Sequence, residues 1–539
     1  MNIRAPTFEP VAATMNPITG GVMIPARLTA KLSSSGILPF RRTHTLAPDS
    51  LAPGSYPLMI PFLSAKKLAA LIRRGKIGSV ELLDLYLERV ARLNPQLNAI
   101  VVLDDKRARE QARKADRAAA KGDWKGPLHG VPMTVKESFD LEGHPTTWGR
   151  LDMKGNIARR HALAVQRLMD AGAVVFGKTN VPALLADWQT FNPVYGTTNN
   201  PWDVTRGPGG SSGGAAAALA AGLTGLELGS DSGASIRNPA HYCGVFGHKP
   251  TFRLCPSTGH NLPPNLGVKD MAVIGPMARS ADDLAIALKL ISQPDEIEAR
   301  GIKIALARPK SEVKKLKIAV LTSAATAEVD DAVQAAVLAA AKAFGKRGAK
   351  LSETARPDFD LHEAHRTFIH LLRGATASAL NDEQFARQRE LAASAKPGED
   401  NYAAWMRHAN TMPVREWHAW NEKREQIRRA WAEFFGDWDL LLCPAAATAA
   451  FPHNQNGERW ERMVMVNGKP QPSTTQMFWA GLPGMAYLPS TIAPAGFTNE
   501  GLPVGVQIVG PQYGDLATIA AAQFLEREFQ PFVAPKGYE

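Results

Sequence analysis

Cysteine is scarce in this chain. Only Cys243, Cys255 and Cys443 occur among 539 residues, and an odd number at those separations offers neither a disulfide framework nor a metal-ligand spacing. A reducing compartment, and with it a cytoplasmic location, is the expectation. No run of about 18 uninterrupted apolar residues is present, so no membrane span is expected. The first 60 residues carry Arg4 and scattered apolar residues broken by Pro6, Pro10, Pro17, Gly20, Gly21 and Pro25. With no continuous apolar core ahead of a small-residue cleavage site, 1–60 does not read as a secretory signal but as a surface-wrapping or poorly ordered extension.

Charge of one sign is not concentrated either. The 62 basic and 51 acidic residues leave a net charge of +11 spread along the chain, and the densest basic piece, with Lys310, Lys314, Lys315 and Lys317, is short enough to be a solvated turn. No nucleic-acid partner is expected. The glycine-rich segment at 207–214 lacks the Gly-Lys-Ser/Thr ending of a phosphate-binding loop, and no clustered ligand residues call for a metal or another cofactor. Hydrophobic residues at 45% against 21% charged argue for a folded chain with a large core.

What the chain does have is glycine around serine. Gly207-Pro208-Gly209-Gly210-Ser211-Ser212-Gly213-Gly214 leads into an alanine run, and Gly229-Ser230-Asp231-Ser232-Gly233-Ala234-Ser235-Ile236-Arg237 follows. Glycines permit positive φ and close backbone approach, so hydroxyls and bare amides can converge on one point, as acyl transfer requires. Upstream, Gly130-Val131-Pro132-Met133-Thr134-Val135 reads as a buried strand, within Leu128 to Val135, that delivers Lys136 at its end. The competing reading of Lys136 is a surface lysine paired to Glu137 or Asp140.

Periodicity places the rest. Leu68, Leu71 and Ile72 recur at helical spacing, and Ser79 stands as N-cap of a helix burying Val80, Leu83, Leu87 and Val90. A strand is expected from Asn98 to Leu103, an exposed helix from Asp104 to Lys121, a helix from His161 to Asp170 and a strand at 173–177. Asn180 should cap a helix that carries Leu185 and Asp187 toward the loop from Asn192 to Gly210. Further helices are expected from Ala281 to Ile291 and from Glu328 to Phe344, and late strands at 317–321, 439–444 and 502–510. This strand–helix alternation predicts an α/β fold with a mostly parallel or mixed sheet. Seven of the eleven tryptophans lie between 405 and 479, and Trp417, Trp420 and Trp431, at helical spacing, read as core.

The two serine loops and the strand-end lysine, separated by 75 and 24 positions, resemble the amidase signature family of serine hydrolases. The resemblance implies one large α/β domain over 61–539, a central mixed twisted sheet covered on both faces by helices. Its core would comprise 61–300 and 315–360, with a variable substrate entrance over about 360–480 and C-terminal core strands in 481–539. It implies a catalytic set of Lys136, Ser211 and Ser235. Ser235 would attack the carbonyl, Ser211 would relay its proton to a neutral Lys136, and a cis peptide bond would join Gly210 to Ser211. Ser212, Asp231 and Arg237 would brace the site. The amides of Ser232, Gly233, Ala234 and Ser235 would bind the oxyanion, and Leu185 and Asp187 would stand near substrate.

Two positions depart from the family's commoner pattern. Ser232 replaces a usual Thr or Ile, and Ala234 replaces a second glycine; the alanine keeps its amide but strains the loop if its φ is positive. The expected reaction is hydrolysis of a small-molecule amide or anilide, with carbamates and esters accessible to the same chemistry. Amidotransferase A subunits acting on charged tRNA usually carry Gln after the Ile-Arg pair, where this chain has Asn238. Their next stretch also differs from Thr251-Phe252-Arg253-Leu254-Cys255. A silent binding protein on this scaffold is disfavoured because Lys136 and both serines are present. The oligomeric state is left open, a homo-oligomer included.

Overall fold

Pro132–Lys136 and Glu227–Asp231 are buried along their whole length, as strands flanked on both sides must be. They belong to a set that the computed structural model describes over residues 59–539, apart from Pro264 and Pro397. The extension expected at 1–60 therefore lies outside the described residues, but for its last two.

In chain order the strands are β1 Ile100–Leu103, β2 Pro132–Lys136, β3 Val174–Thr179, β4 Phe191–Asn192, β5 Gly196–Thr197, β6 Glu227–Asp231, β7 Phe246–Lys249 and β8 Val273–Ala278, then β9 Lys317–Val320, β10 Lys350–Ser352, β11 Leu440–Pro444, β12 Met463–Val466, β13 Lys469–Pro472, β14 Ser490–Phe497 and β15 Pro503–Val509. Eight of them form one sheet in the order β10-β9-β11-β15-β14-β7-β8-β6, and β1-β3-β2 form a second. Parallel pairing is confined to β2 with β3 and to β9 with β10 and β11. The sheet is thus mixed, and mainly antiparallel at its centre. All seven residues of β15 are buried, with the helices Arg237–Cys243 and Asp331–Gly345 packed against it.

The two sheets meet where the site forms. Gly225 N donates to Pro132 O, Thr134 N to the Thr224 hydroxyl, and the Thr134 hydroxyl to Glu227. These contacts lay β2 beside β6 in the same direction, so their carboxyl ends, Lys136 and Asp231, arrive together. Between them in sequence the helix Gly213–Ala220 is buried on every side. Its glycines are required by contact, since a methyl on Gly214 would stand 2.4 Å from Asn180 N.

Several expected boundaries move. Gly78, not Ser79, is the cap of the helix Ser79–Leu97, because the Asp116 carboxylate takes the Ser79 and Val80 amides at 2.6 and 3.1 Å. Asn180 caps no helix. Its side chain bonds Val181 N, Thr198, Asn192 and the Gly196 carbonyl, and only the short turn Ala183–Leu185 follows, with Leu184 and Leu185 at positive φ. The helix expected from Glu328 begins at Asp331, and the one from His161 at Leu163. Trp420 and Trp431 are buried on the helix Val414–Asp437, and Trp417 is half-buried against the same core. The lysines near 310–317 pair with Asp439 and Glu312 at the surface.

Candidate active site

Lys136 ends β2 with none of its surface exposed, which settles its location against the surface alternative. Its Nζ donates to Ser211 Oγ at 2.6 Å and to Ser230 Oγ at 2.9 Å. Burial strips the ammonium of water and lowers its pKa to about 7, against the opposing pull of Asp231 and Glu227. Glu227 is itself pushed up to about 8 by burial, so it offers Lys136 only a partial counter-charge near neutrality.

Ser211 stands at the mouth of the buried helix, joined to Gly210 by a cis peptide bond. Ser212 makes no hydrogen bond to the hydroxyls of Ser211 or Ser235. Its N–H donates to Ser235 O at 3.0 Å and its hydroxyl to Ser230 O at 3.3 Å, so it fastens one serine loop to the other. Gly210 N donates to Asn238 Oδ1 at 3.1 Å, tying the first loop to the helix Arg237–Cys243 that follows the second.

The second loop is wound around Asp231. Its carboxylate accepts from the amides of Ala234, Ile236 and Arg237, and from Arg237 through both Nε and Nη2 at 3.0 and 2.8 Å, with neither side chain exposed. Burial would raise this carboxyl, but Arg237 outweighs it and holds it at about 2. Arg237 also donates to Ala480 O and Gln507, anchoring the loop to the core. Ala234 has φ of 85°, so the alanine does occupy a conformation that favours glycine. Its amide is engaged by Asp231, which removes it from the four expected oxyanion donors. The amides of Ser232, Gly233 and Ser235 have no acceptor among the described residues.

Ser211, Ser230, Ser232, Gly233 and Ser235 face one cavity of about 540 Å³. Ser235 makes no hydrogen bond to Ser211 among the described residues. Leu185 and Asp187 line the same cavity, Asp187 paired to Arg462 at 2.7 Å. Sequence reasoning missed Ser230, His260, Trp148 and Trp188. Trp188 Nε1 donates to Gly233 O at 2.8 Å and so steadies the loop. His260 is buried against Phe139 and Trp148, and burial lowers it to about 3, so the ring is neutral and shares a hydrogen bond with Ser138 at 2.9 Å. Of the tryptophans between 405 and 479, only Trp460 reaches the cavity. No group of His, Cys, Asp and Glu suited to a metal ion is found among the described residues.

The Amidase family model matches residues 81–519. The chain belongs to that family. It is 34% identical to an indoleacetamide hydrolase of Bradyrhizobium diazoefficiens, over 86% of each chain. It is 32% identical to an acylamidase of Rhodococcus erythropolis, over 86% of this chain and 95% of the other. A solved structure from a vestigial complex bearing on the origins of an s-triazine catabolic enzyme superposes with a TM-score of 0.72 at 28% identity. That match covers 88% of this chain and all of the other. The motifs at 207–214 and 229–237 lie within the matched range. No helix among the described residues is long and apolar enough to cross a membrane.

Proposed function

We propose that this protein hydrolyses carboxylic amides through an acyl-enzyme on Ser235. The observation that carries the reading is a fully buried amine, Lys136, 2.6 Å from the Ser211 hydroxyl on a cavity that also holds Ser235. A serine hydroxyl is a weak nucleophile and needs a base, and lysine serves only when neutral. As Ser235 Oγ bonds to the carbonyl carbon, its proton passes to Ser211 and the Ser211 proton to Lys136. The resulting oxyanion is met by the amides of Ser232, Gly233 and Ser235, each worth on the order of 3 kcal/mol in rate. Collapse breaks the C–N bond, the proton returns along the same path to the leaving amine, and water repeats the sequence to release the carboxylate. The Ser211–Ser235 bond that the relay needs is not made at rest; bound substrate draws the Ser235 hydroxyl into line, as catalytic hydrogen bonds commonly tighten in the substrate complex.

The cavity walls suit a medium-sized substrate with apolar groups: Trp148, Trp188, Trp460, Leu372 and Met477 stand among polar side chains. An aryl or alkyl amide fits that chemistry, and a relative active on indoleacetamide is consistent with it. The decisive experiment is a hydrolysis screen of aliphatic amides, aryl anilides and aryl carbamates, with Ser235→Ala and without a partner protein or tRNA. Turnover of amides by the wild type and none by the variant is expected. Full activity in Ser235→Ala would remove the nucleophile, and carbamate-only turnover would reassign the substrate class.

A further inference from the structure

The same cavity carries a charge imbalance that amide hydrolysis does not use. Arg150, Lys269, Arg373, Arg459 and Arg462 line it, against one carboxylate, Asp187. Two of these cations are matched, Arg462 by Asp187 and Arg150 by Asp152. Arg373 is not. It is only 8% exposed, its guanidinium donates to the Tyr402 hydroxyl and lies 5.4 Å from that ring, and its Nε has no partner among the described residues. That hydroxyl orients the guanidinium, but Arg373 makes no ion pair with a carboxylate among the described residues. Arg459 adds to the problem: it donates to the Ala186 carbonyl, lies 5.9 Å from the Trp460 ring and likewise leaves Nε unpartnered. Burial and the repulsion of Arg459 lower Arg373 to about 10, which still leaves it charged near neutral pH.

A buried cation without a counter-ion is costly, and proteins normally pair it. Here the missing partner is a matter for the cavity's contents. We infer that the substrates of this site are amides bearing a second, anionic group, a carboxylate, which the Arg373 fork receives while Arg459 adds field from beside it. A planar guanidinium suits a carboxylate because two parallel N–H bonds can be made at once. The placement supports one molecule spanning both groups. Leu372, the preceding residue, lies 3.6 Å from where a side-chain carbon on Gly233 would stand, so this turn of the helix Leu361–Thr376 abuts the nucleophile loop. The inference rests on the amide-hydrolase reading and names its substrate class.

The test pairs 4-nitroanilides of linear diacids, from succinic to suberic, with those of monoacids of equal length. The wild type should favour the carboxylated anilide at least tenfold in kcat/KM at one or more lengths, mainly through KM. Arg373→Met should bring that ratio close to one, and Arg459→Met should lower it by a smaller factor, which keeps the test alive if the first variant does not fold. Turnover of both series with no preference at any length overturns the anion site and leaves amide hydrolysis standing. Binding of the same anilides to Ser235→Ala by calorimetry separates the two claims further. Tighter binding of the carboxylated series, lost on adding Arg373→Met, supports the inference even without turnover, and equal or absent binding of the two series refutes it.

Discussion

Lowering the pH should switch the enzyme off through Lys136, and replacing that residue with methionine should erase the switch. The lysine titrates at about 7 instead of 10.5 because it is fully buried. At pH 8 such a group is neutral about 90% of the time, against about 0.3% for an ordinary lysine, a gain of roughly 300-fold in competent base. The active form is the deprotonated one, so activity is present above about 7 and is lost as pH falls through it. For an anilide, kcat/KM should fall about tenfold per pH unit below the break and be flat from pH 8 to 9. Lys136→Met should lower the plateau by about 10²- to 10⁴-fold, the usual worth of a positioned base, and flatten the acid limb. Lys249 also titrates at about 7, but it donates to the Pro250 and Leu488 carbonyls, so Lys249→Met should keep the break. A profile flat from pH 5.5 to 9, or a break near 7 that survives in Lys136→Met, would refute the reasoning.

Two further substitutions probe the nucleophile loop. Asp231→Asn removes the counter-charge of a guanidinium with no exposed surface, so urea unfolding should show a loss of about 3–5 kcal/mol, accompanied by loss of turnover. Ala234→Gly should retain turnover and melt no lower than wild type, because glycine accepts φ of 85° freely. Ala218→Gly, in the helix Gly213–Ala220, should instead cost about 1 kcal/mol, and equal losses in the two variants would show that the loop carries no strain.

How far the site could be read from sequence follows from what each residue needs. Lys136, Ser211 and Ser235 were legible because glycine brackets the two serines and an apolar run ends at the lysine, and these are local facts. Ser230 lies inside the second motif, but its role is not a local fact, because only the placement of β2 beside β6 brings its hydroxyl to Lys136 Nζ. Asn180 looked like a helix cap, and tertiary hydrogen bonds to Thr198, Asn192 and Gly196 claimed it instead. At Ala234 the sequence leaves the sign of φ open, and the structure places it at 85° with the amide bonded to Asp231. Arg373 gave no signal at all, since lacking an acidic partner is a property of the folded neighbourhood. The α/β class followed from the alternation of elements, but the antiparallel centre of the sheet did not, because β7, β8, β14 and β15 are joined by connections whose direction periodicity does not report.

The arrangement around Asp231 explains how a lysine can stay neutral beside a buried acid. Asp231 and Lys136 end adjacent strands, and such a pair would ordinarily share a proton as an ion pair and keep the amine charged. Here both carboxylate oxygens are committed to Arg237 and to the amides of Ala234, Ile236 and Arg237, and the carboxyl is held at about 2, so the acid stays ionised while its charge is offset on the far side. Lys136 is left with two hydroxyls, Ser211 and Ser230, as its side-chain hydrogen-bond partners; they carry no charge to hold an ammonium, can donate to a neutral amine, and restore little of the hydration lost on burial. An apolar pair in place of Asp231 and Arg237 would also spare the lysine a counter-ion, but it could not gather three amides and turn the loop that presents Ser235. The buried ion pair therefore does two things at once: it shapes the nucleophile loop, and it keeps the base free to take a proton.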